Sequence, residues 1–210
     1  MKPHYAVKEI FGPTLQGEGS QVGTVVKFLR FAGCNRWSGR ARDKAHAVCW
    51  FCDTDFLGGA QLSIEAICHN LNDLGPCKNL VISGGEPSLQ LDQALLDALT
   101  EAGYRLHLET NGSKDLGSLA TYFTHITMSP KQSREDTQLK HCHDVKILYP
   151  SPIPSVSPES FQDFPADSYY LQPVDLPNEN AKNTTAALEY CLTHPQWKLS
   201  LQIHKILGVA

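Results

Sequence analysis

The 210-residue sequence predicts an α/β protein built on a mostly parallel sheet, either open or curled into a partial barrel. Two observations predict it. Apolar runs of strand length alternate with amphipathic segments of helix length, which is the pattern of right-handed β–α–β crossovers. The chemically distinctive residues also collect just past the ends of the predicted strands, where such folds gather their ligand-binding groups.

Val25–Phe31 (VVKFLRF) reads as the first strand. A helix begins at Ser63, whose hydroxyl suits an N-cap, and stops near Gly75. Residues 80–83 (LVIS) form a short buried strand, followed by a Gly-Gly turn and the amphipathic stretch LDQALLDALTEAGY. There Leu91, Leu95, Leu96 and Leu99 share one face, and Gly103 closes the helix. Further strands are expected over 105–109, 126–129, 145–148, 169–171 and 199–204, with a helix over about 183–193 before the last. The region 150–166 carries five prolines and reads as a surface connection rather than a domain linker. One domain over 1–210 is therefore expected, with a ligand-bearing loop at 34–54.

Hydrophobic content of 41% and charged content of 19% are those of an ordinary globular protein. The N-terminus MKPHYAVKEIFGP has charges where a signal peptide needs an apolar run, and no stretch approaches a membrane span. A cytoplasmic location follows as the expectation. The net charge of −4 offers no global basic surface for nucleic acid, whereas a small anionic substrate needs only one or two local cations.

The cysteines are seven, and four of them lack a ligand-like context. Cys68 and Cys191 lie on helical patterns and Cys77 in a GPCKN turn, while Cys142 is flanked by His141 and His143. Packing accounts for them, since free cysteine behaves as a small hydrophobe, although the histidines beside Cys142 hint at metal binding. Cys34, Cys49 and Cys52 form a C-x14-C-x2-C pattern just past a strand end. Three thiolates there suit zinc, with His46 as a fourth ligand, or an iron–sulfur cluster with one iron left open. The cysteines alone do not choose. The turn Ser83-Gly84-Gly85-Glu86-Pro87 adds two glycines that expose backbone groups to a ligand and a carboxylate, Glu86, suited to an ammonium group.

A three-cysteine motif followed by GGEP resembles the radical S-adenosylmethionine (SAM) enzymes. Further segments, 11–23 (FGPTLQGEGSQVG), 28–34 (FLRFAGC), CDT at 52–54, ETNG at 109–112, SPK at 129–131 and the closing LQIHKILG, are similar to the 7-carboxy-7-deazaguanine synthase family of that superfamily. The resemblance runs from Phe11 to the C-terminus. It implies a partial, incomplete TIM-type barrel of mostly parallel strands, a modified radical SAM core. It also implies a 4Fe–4S cluster on Cys34, Cys49 and Cys52, whose open iron binds the amino and carboxylate groups of SAM. The family's reaction uses a 5′-deoxyadenosyl radical to convert 6-carboxy-5,6,7,8-tetrahydropterin to 7-carboxy-7-deazaguanine with release of ammonia, within 7-deazapurine (queuosine) biosynthesis.

Residue by residue, the likeness places Thr54 at a Mg2+ ion, an assignment that fits a hard cation's preference for oxygen. It places Leu15, Gln16, Gly17, Glu18, Arg30, Thr110 and His204 at the pterin, with Arg30 gripping the substrate carboxylate. The Ala210 carboxylate is expected to fold back towards that substrate. Gly84, Gly85, Glu86, Gly112, Ser129, Pro130 and Lys131 are expected at SAM, joined by Gln172 and Asp175 from LQPVD. A flavodoxin-type electron donor and a homodimer are expected as partners.

The first cysteine gap departs from the superfamily's usual C-x3-C-x2-C. Its segment NRWSGRARDKAHAV is read as a solvated loop, or as a cationic dock for an acidic electron donor through Arg40, Arg42 and Lys44. Two other functions share parts of the pattern, a glycyl-radical activase and a zinc-binding protein without catalysis.

Overall fold

The computed structural model describes residues 3–209. Nine strands form one sheet in the order β3-β1-β2-β4-β5-β6-β7-β8-β9. They are β1 (His4–Leu15), β2 (Val25–Phe31), β3 (Ala60–Ser63), β4 (Asn79–Gly84), β5 (Arg105–Thr110), β6 (Phe123–Met128), β7 (Cys142–Tyr149), β8 (Ala166–Pro173) and β9 (Trp197–Leu199). β1 runs antiparallel to β2 and β3, and every other neighbouring pair is parallel. The sheet does not close, with β3 and β9 at its edges, so the architecture is an incomplete barrel.

Alternation along the strands sorts the sheet into two unlike faces. Leu29 and Phe31, Leu80 and Ile82, Leu106 and Leu108, Val145 and Ile147, and Leu171 all belong to the buried apolar core. The intervening positions are largely polar: Arg30, Ser83, His107, Glu109, His125, Asp144, Lys146 and Gln172. Buried parallel strands usually read as continuous apolar runs. Here one face packs under helices and the other encloses a polar interior.

The helices cover the apolar face. α1 (Ile64–Asp73) is capped by Ser63, whose Oγ accepts from Ala66 N at 3.3 Å, and buries Ile67 and Leu71 one turn apart. α2 (Gln93–Glu101) is capped by Asp92, which accepts from Leu95 N at 3.0 Å, and buries Leu95, Leu96 and Leu99. Gly103, at φ +83, turns the chain out of that helix as expected. α4 (Asn180–Thr193), begun three residues before the expected start, packs against β8.

Three expectations need correction. The 150–166 connection is a packed segment: it holds the short α3 (Pro158–Phe161) and contributes Ile153, Val156, Phe161 and Phe164 to the core. The last strand is shorter and earlier than 199–204. β9 ends at Leu199, after which the chain leaves the sheet and forms α5 (Ile203–Leu207), its Ile203 N donating to Gly17 O at 3.0 Å. His204 is therefore helical. Cys142 is fully buried in the core, and its neighbour His143 spends Nδ1 on the backbone N–H of Ile126 at 2.9 Å. Among the described residues, no three His, Cys, Asp or Glu side chains converge on a single metal ion.

Candidate active site

Strand ends and the loops beyond them enclose one cavity of about 430 Å³, the size of a small-molecule site. Cys34, Cys49 and Cys52 all line it, on a loop that starts at the end of β2. Beside them on the wall are Gly84, which ends β4, and Gly85, which follows it. Gly85 is dictated by packing. A Cβ there would lie 2.2 Å from Gly33 O and 2.7 Å from Cys34 Cβ, so only glycine lets the two loops meet.

Burial pushes Cys49 up to about 11, against the opposing charge of Lys131, and burial likewise raises Cys52. A bound metal cluster would hold them deprotonated instead. Three cysteines on one cavity wall fit a 4Fe–4S cluster, whereas His46, the fourth ligand a zinc ion would need, is absent from that wall. Two donors in the loop add to the fit: Arg36 Nε and Trp37 Nε1 are buried without a partner, on residues that line the cavity.

Of the residues expected at SAM, Gly84, Gly85, Ser129, Lys131, Gln172 and Asp175 line the cavity. Glu86 does not. Its carboxylate is fully buried and accepts from Ser88 N at 3.0 Å, Thr110 Oγ1 at 2.7 Å and Asn111 N at 2.7 Å. The carboxylate thereby braces the loops after β4 and β5 against each other. Gly112 and Pro130 are buried off the cavity wall as well. Gly112, at φ +74, is a turn whose carbonyl accepts from Gln138 N and Leu139 N.

Leu15, Gln16, Gly17, Glu18, Arg30, Thr54, Thr110 and His204 all reach the cavity. Ala210 lies outside the described residues. Gly17 approaches α5 so closely that a Cβ would sit 2.1 Å from His204 Nδ1. Arg30 donates to Glu9 at 2.8 Å and lies over the Phe11 ring, which stacks on Phe28 with centroids 4.9 Å apart. Its Nε is buried and unpartnered, a free donor.

The sequence reading missed the group at the centre of the pocket. Lys146, on the inner face of β7, pairs with Glu18 and lies 3.3 Å from Glu109 Oε2. Gln16 Nε2 donates to Glu109 at 3.1 Å and Gln202 Nε2 to Glu18 at 2.9 Å. Burial opposes charge on Glu18, but Lys146 overcomes it and holds the carboxyl down to about 2. Burial lowers and the two glutamates raise Lys146, with the net result upward, so it stays an ammonium. Glu109 is raised, first by burial and then by the charge of Glu18, against the pull of Lys146. A charged residue inside the apolar run VKILY was the one available signal for Lys146.

No protein-family model matches the chain. The curated 7-carboxy-7-deazaguanine synthases of Bradyrhizobium diazoefficiens and Caulobacter vibrioides are 44% and 43% identical to it, each over 98% of this chain and 99% of the relative. The enzyme of that name from Bordetella pertussis is 41% identical over the same shares. The crystal structure of QueE from Escherichia coli superposes with a TM-score of 0.66 at 22% identity, covering 95% of this chain and 94% of that one, which fixes the fold. With near full-length identity above 40% to curated relatives and a cavity lined by all three cysteines, the chain belongs to the 7-carboxy-7-deazaguanine synthase family.

Proposed function

We propose that this protein is a radical SAM lyase that converts 6-carboxy-5,6,7,8-tetrahydropterin to 7-carboxy-7-deazaguanine with loss of ammonia. The observation that carries the reading is the meeting, in one cavity, of three thiols, the Gly84-Gly85 turn and a polar wall that includes Glu18, Glu109, Arg30 and Lys146. Bound there, a 4Fe–4S cluster and SAM supply hydrogen-atom abstraction, chemistry that no side chain of the pocket provides.

The chain's own residues bind, orient and shield. Cys34, Cys49 and Cys52 hold the cluster, while Gly84, Gly85, Ser129, Lys131, Gln172 and Asp175 hold SAM. Gln16, Glu18 and Glu109 offer acceptors and an amide to the edge of a pterin, Glu18 aimed by Lys146 and Gln202, Glu109 by Lys146, and Gln16 by Glu109. Leu15, Gly17, Thr110 and His204 complete the substrate wall. Arg30 takes the substrate carboxylate through its free Nε edge. Thr54 supplies a hydroxyl oxygen to Mg2+, with substrate oxygens and water for the remainder. α5 shields the pocket: Lys205 Nζ reaches Asp53 at 2.9 Å and Asp175 at 2.5 Å, across the mouth.

The chain acts as a single domain over 1–210, with a flavodoxin-type donor supplying electrons and a homodimer as the working form. No helix among the described residues is long and apolar enough to cross a membrane, and the protein works in the cytoplasm without nucleic acid. The decisive experiment is anaerobic incubation of cluster-loaded protein with reductant, SAM, Mg2+ and 6-carboxytetrahydropterin. The deazaguanine product and ammonia are expected. No product from a fully loaded cluster would remove the assignment.

A further inference from the structure

The long first cysteine gap is largely exposed, as a solvated loop should be, with no buried residue between 35 and 48. It is anchored at one point: the half-buried Trp37 ring stands edge-on to Phe56, centroids 5.7 Å apart, and Phe56 is only 2% exposed. Lys44 lies over the Trp37 ring, and Gly33 N donates to Phe56 O at 3.0 Å, closing the loop at its base. This packing fixes the direction of the residue before Trp37. Arg36 enters the cavity wall, its Nε buried and without a partner, and its backbone N–H donates to Cys34 Sγ at 3.4 Å. The ion pair made by the insertion among the described residues is elsewhere, between Arg42 and Asp43 at 3.5 Å.

We infer that Arg36 sets the electron affinity of the cluster held by Cys34, Cys49 and Cys52, and that the insertion exists to carry this cation inward. The inference rests on the radical SAM reading and goes beyond it. One electron passes from a low-potential one-electron donor, which is oxidised by one, to a cluster that gains one negative charge; no bond breaks and no proton moves. A fixed cation at the thiolates lowers the energy of the more negative state further than that of the oxidised one, and a buried wall screens it little. Lys131, on the same wall with Nζ bound to Ser129 O at 2.9 Å and Oγ at 2.7 Å, acts in the same sense. Arg36 is distinguished by arriving through the insertion. Arg40 and Arg42, which stay outside the cavity wall, cannot act at this range.

The test is a redox titration followed by electron paramagnetic resonance, on the full chain loaded anaerobically with iron and sulfide, without SAM or substrate. For Arg36→Gln the ratio of reduced to oxidised cluster at the wild-type midpoint is expected to fall about tenfold, a shift of about 59 mV to more negative potential for one electron. Arg36→Lys, which keeps the charge, and Arg42→Gln, at the exposed pair, are expected to hold the wild-type midpoint. An unmoved midpoint in Arg36→Gln overturns the inference, as does an equal shift in Arg42→Gln. If Arg36→Gln fails to hold the cluster, Arg36→Lys decides: a wild-type midpoint supports the role of charge, and a displaced one overturns it. A wild-type protein that forms no 4Fe–4S signal overturns the underlying reading, whereas normal clusters with unmoved midpoints overturn this inference alone.

Discussion

Thr110 Oγ1 donates to Glu86 Oε1 across 2.7 Å of protein interior, pinning the last residue of β5 to the turn after β4. The carboxylate of GGEP is thus spent on the scaffold, and the cavity sees only the glycines before it. The motif works through its backbone, held in place by its side chain.

Glu86→Gln is expected to destabilise the cluster-free protein by about 2 kcal/mol, read as a lower urea midpoint. However the amide turns, its NH2 faces a backbone N–H, that of Ser88 or that of Asn111. An unchanged midpoint would show that the buried carboxylate does not hold the two loops.

Acid sensitivity follows from Glu18. Its folded value of about 2 lies below the ordinary 4.5, so it contributes stability that is complete above about pH 4.5 and is lost as pH falls towards 2. Glu109 is shifted the other way, so protonating it favours the fold and is finished by the time pH reaches 4.5. Glu18→Gln should therefore flatten the fall of stability between about pH 4.5 and 2, measured by denaturant unfolding of the cluster-free protein. A fall as steep as wild type's would assign the acid transition to other groups.

Gly85→Ala is expected to keep the far-ultraviolet circular dichroism of the wild type while binding well under half as much iron per chain. Its methyl group meets Gly33 O and Cys34 Cβ, both fixed atoms, and must push the cysteine loop away. Full iron content would show that this loop has room to spare.

Cysteine variants separate ligands from packing. Cys34→Ser, Cys49→Ser and Cys52→Ser should each lose the broad visible absorption of the cluster near 400 nm. Cys142→Ser should keep it but unfold more easily by about 1–3 kcal/mol, since a hydroxyl replaces a thiol with no exposure. Loss of the cluster in Cys142→Ser at full folding would reassign the ligands.

The parts of the fold legible in the sequence are those that local chemistry dictates. Ser63 and Asp92 cap their helices with their own oxygens, and the leucines of α2 keep a helical period. β1 escaped because Gly12-Pro13 interrupts its alternation, and β3 because four half-exposed residues at a sheet edge carry almost no pattern. The cysteines and glycines of the site were readable as motifs. Lys146 was not, because its meaning lies in Glu18, 128 positions away. Glu86 was read as special, but its bonds to Ser88, Thr110 and Asn111 were not, since a motif records which residue is required and not which way it points.

The contacts between the 16–20 loop and the chain after β9 carry a kinetic consequence. Gln202 reaches Glu18 across 184 positions, and Ser200 Oγ accepts from Gly19 N across 181. These span the gap that the unclosed sheet leaves between its early and late strands. Closing such distances is among the slowest events available to a folding chain. The substrate wall should therefore be the last part of the molecule to acquire protection from amide hydrogen exchange during refolding, after the helices over the apolar face. Until then, a nascent chain has its cysteines in place and no pocket to use them.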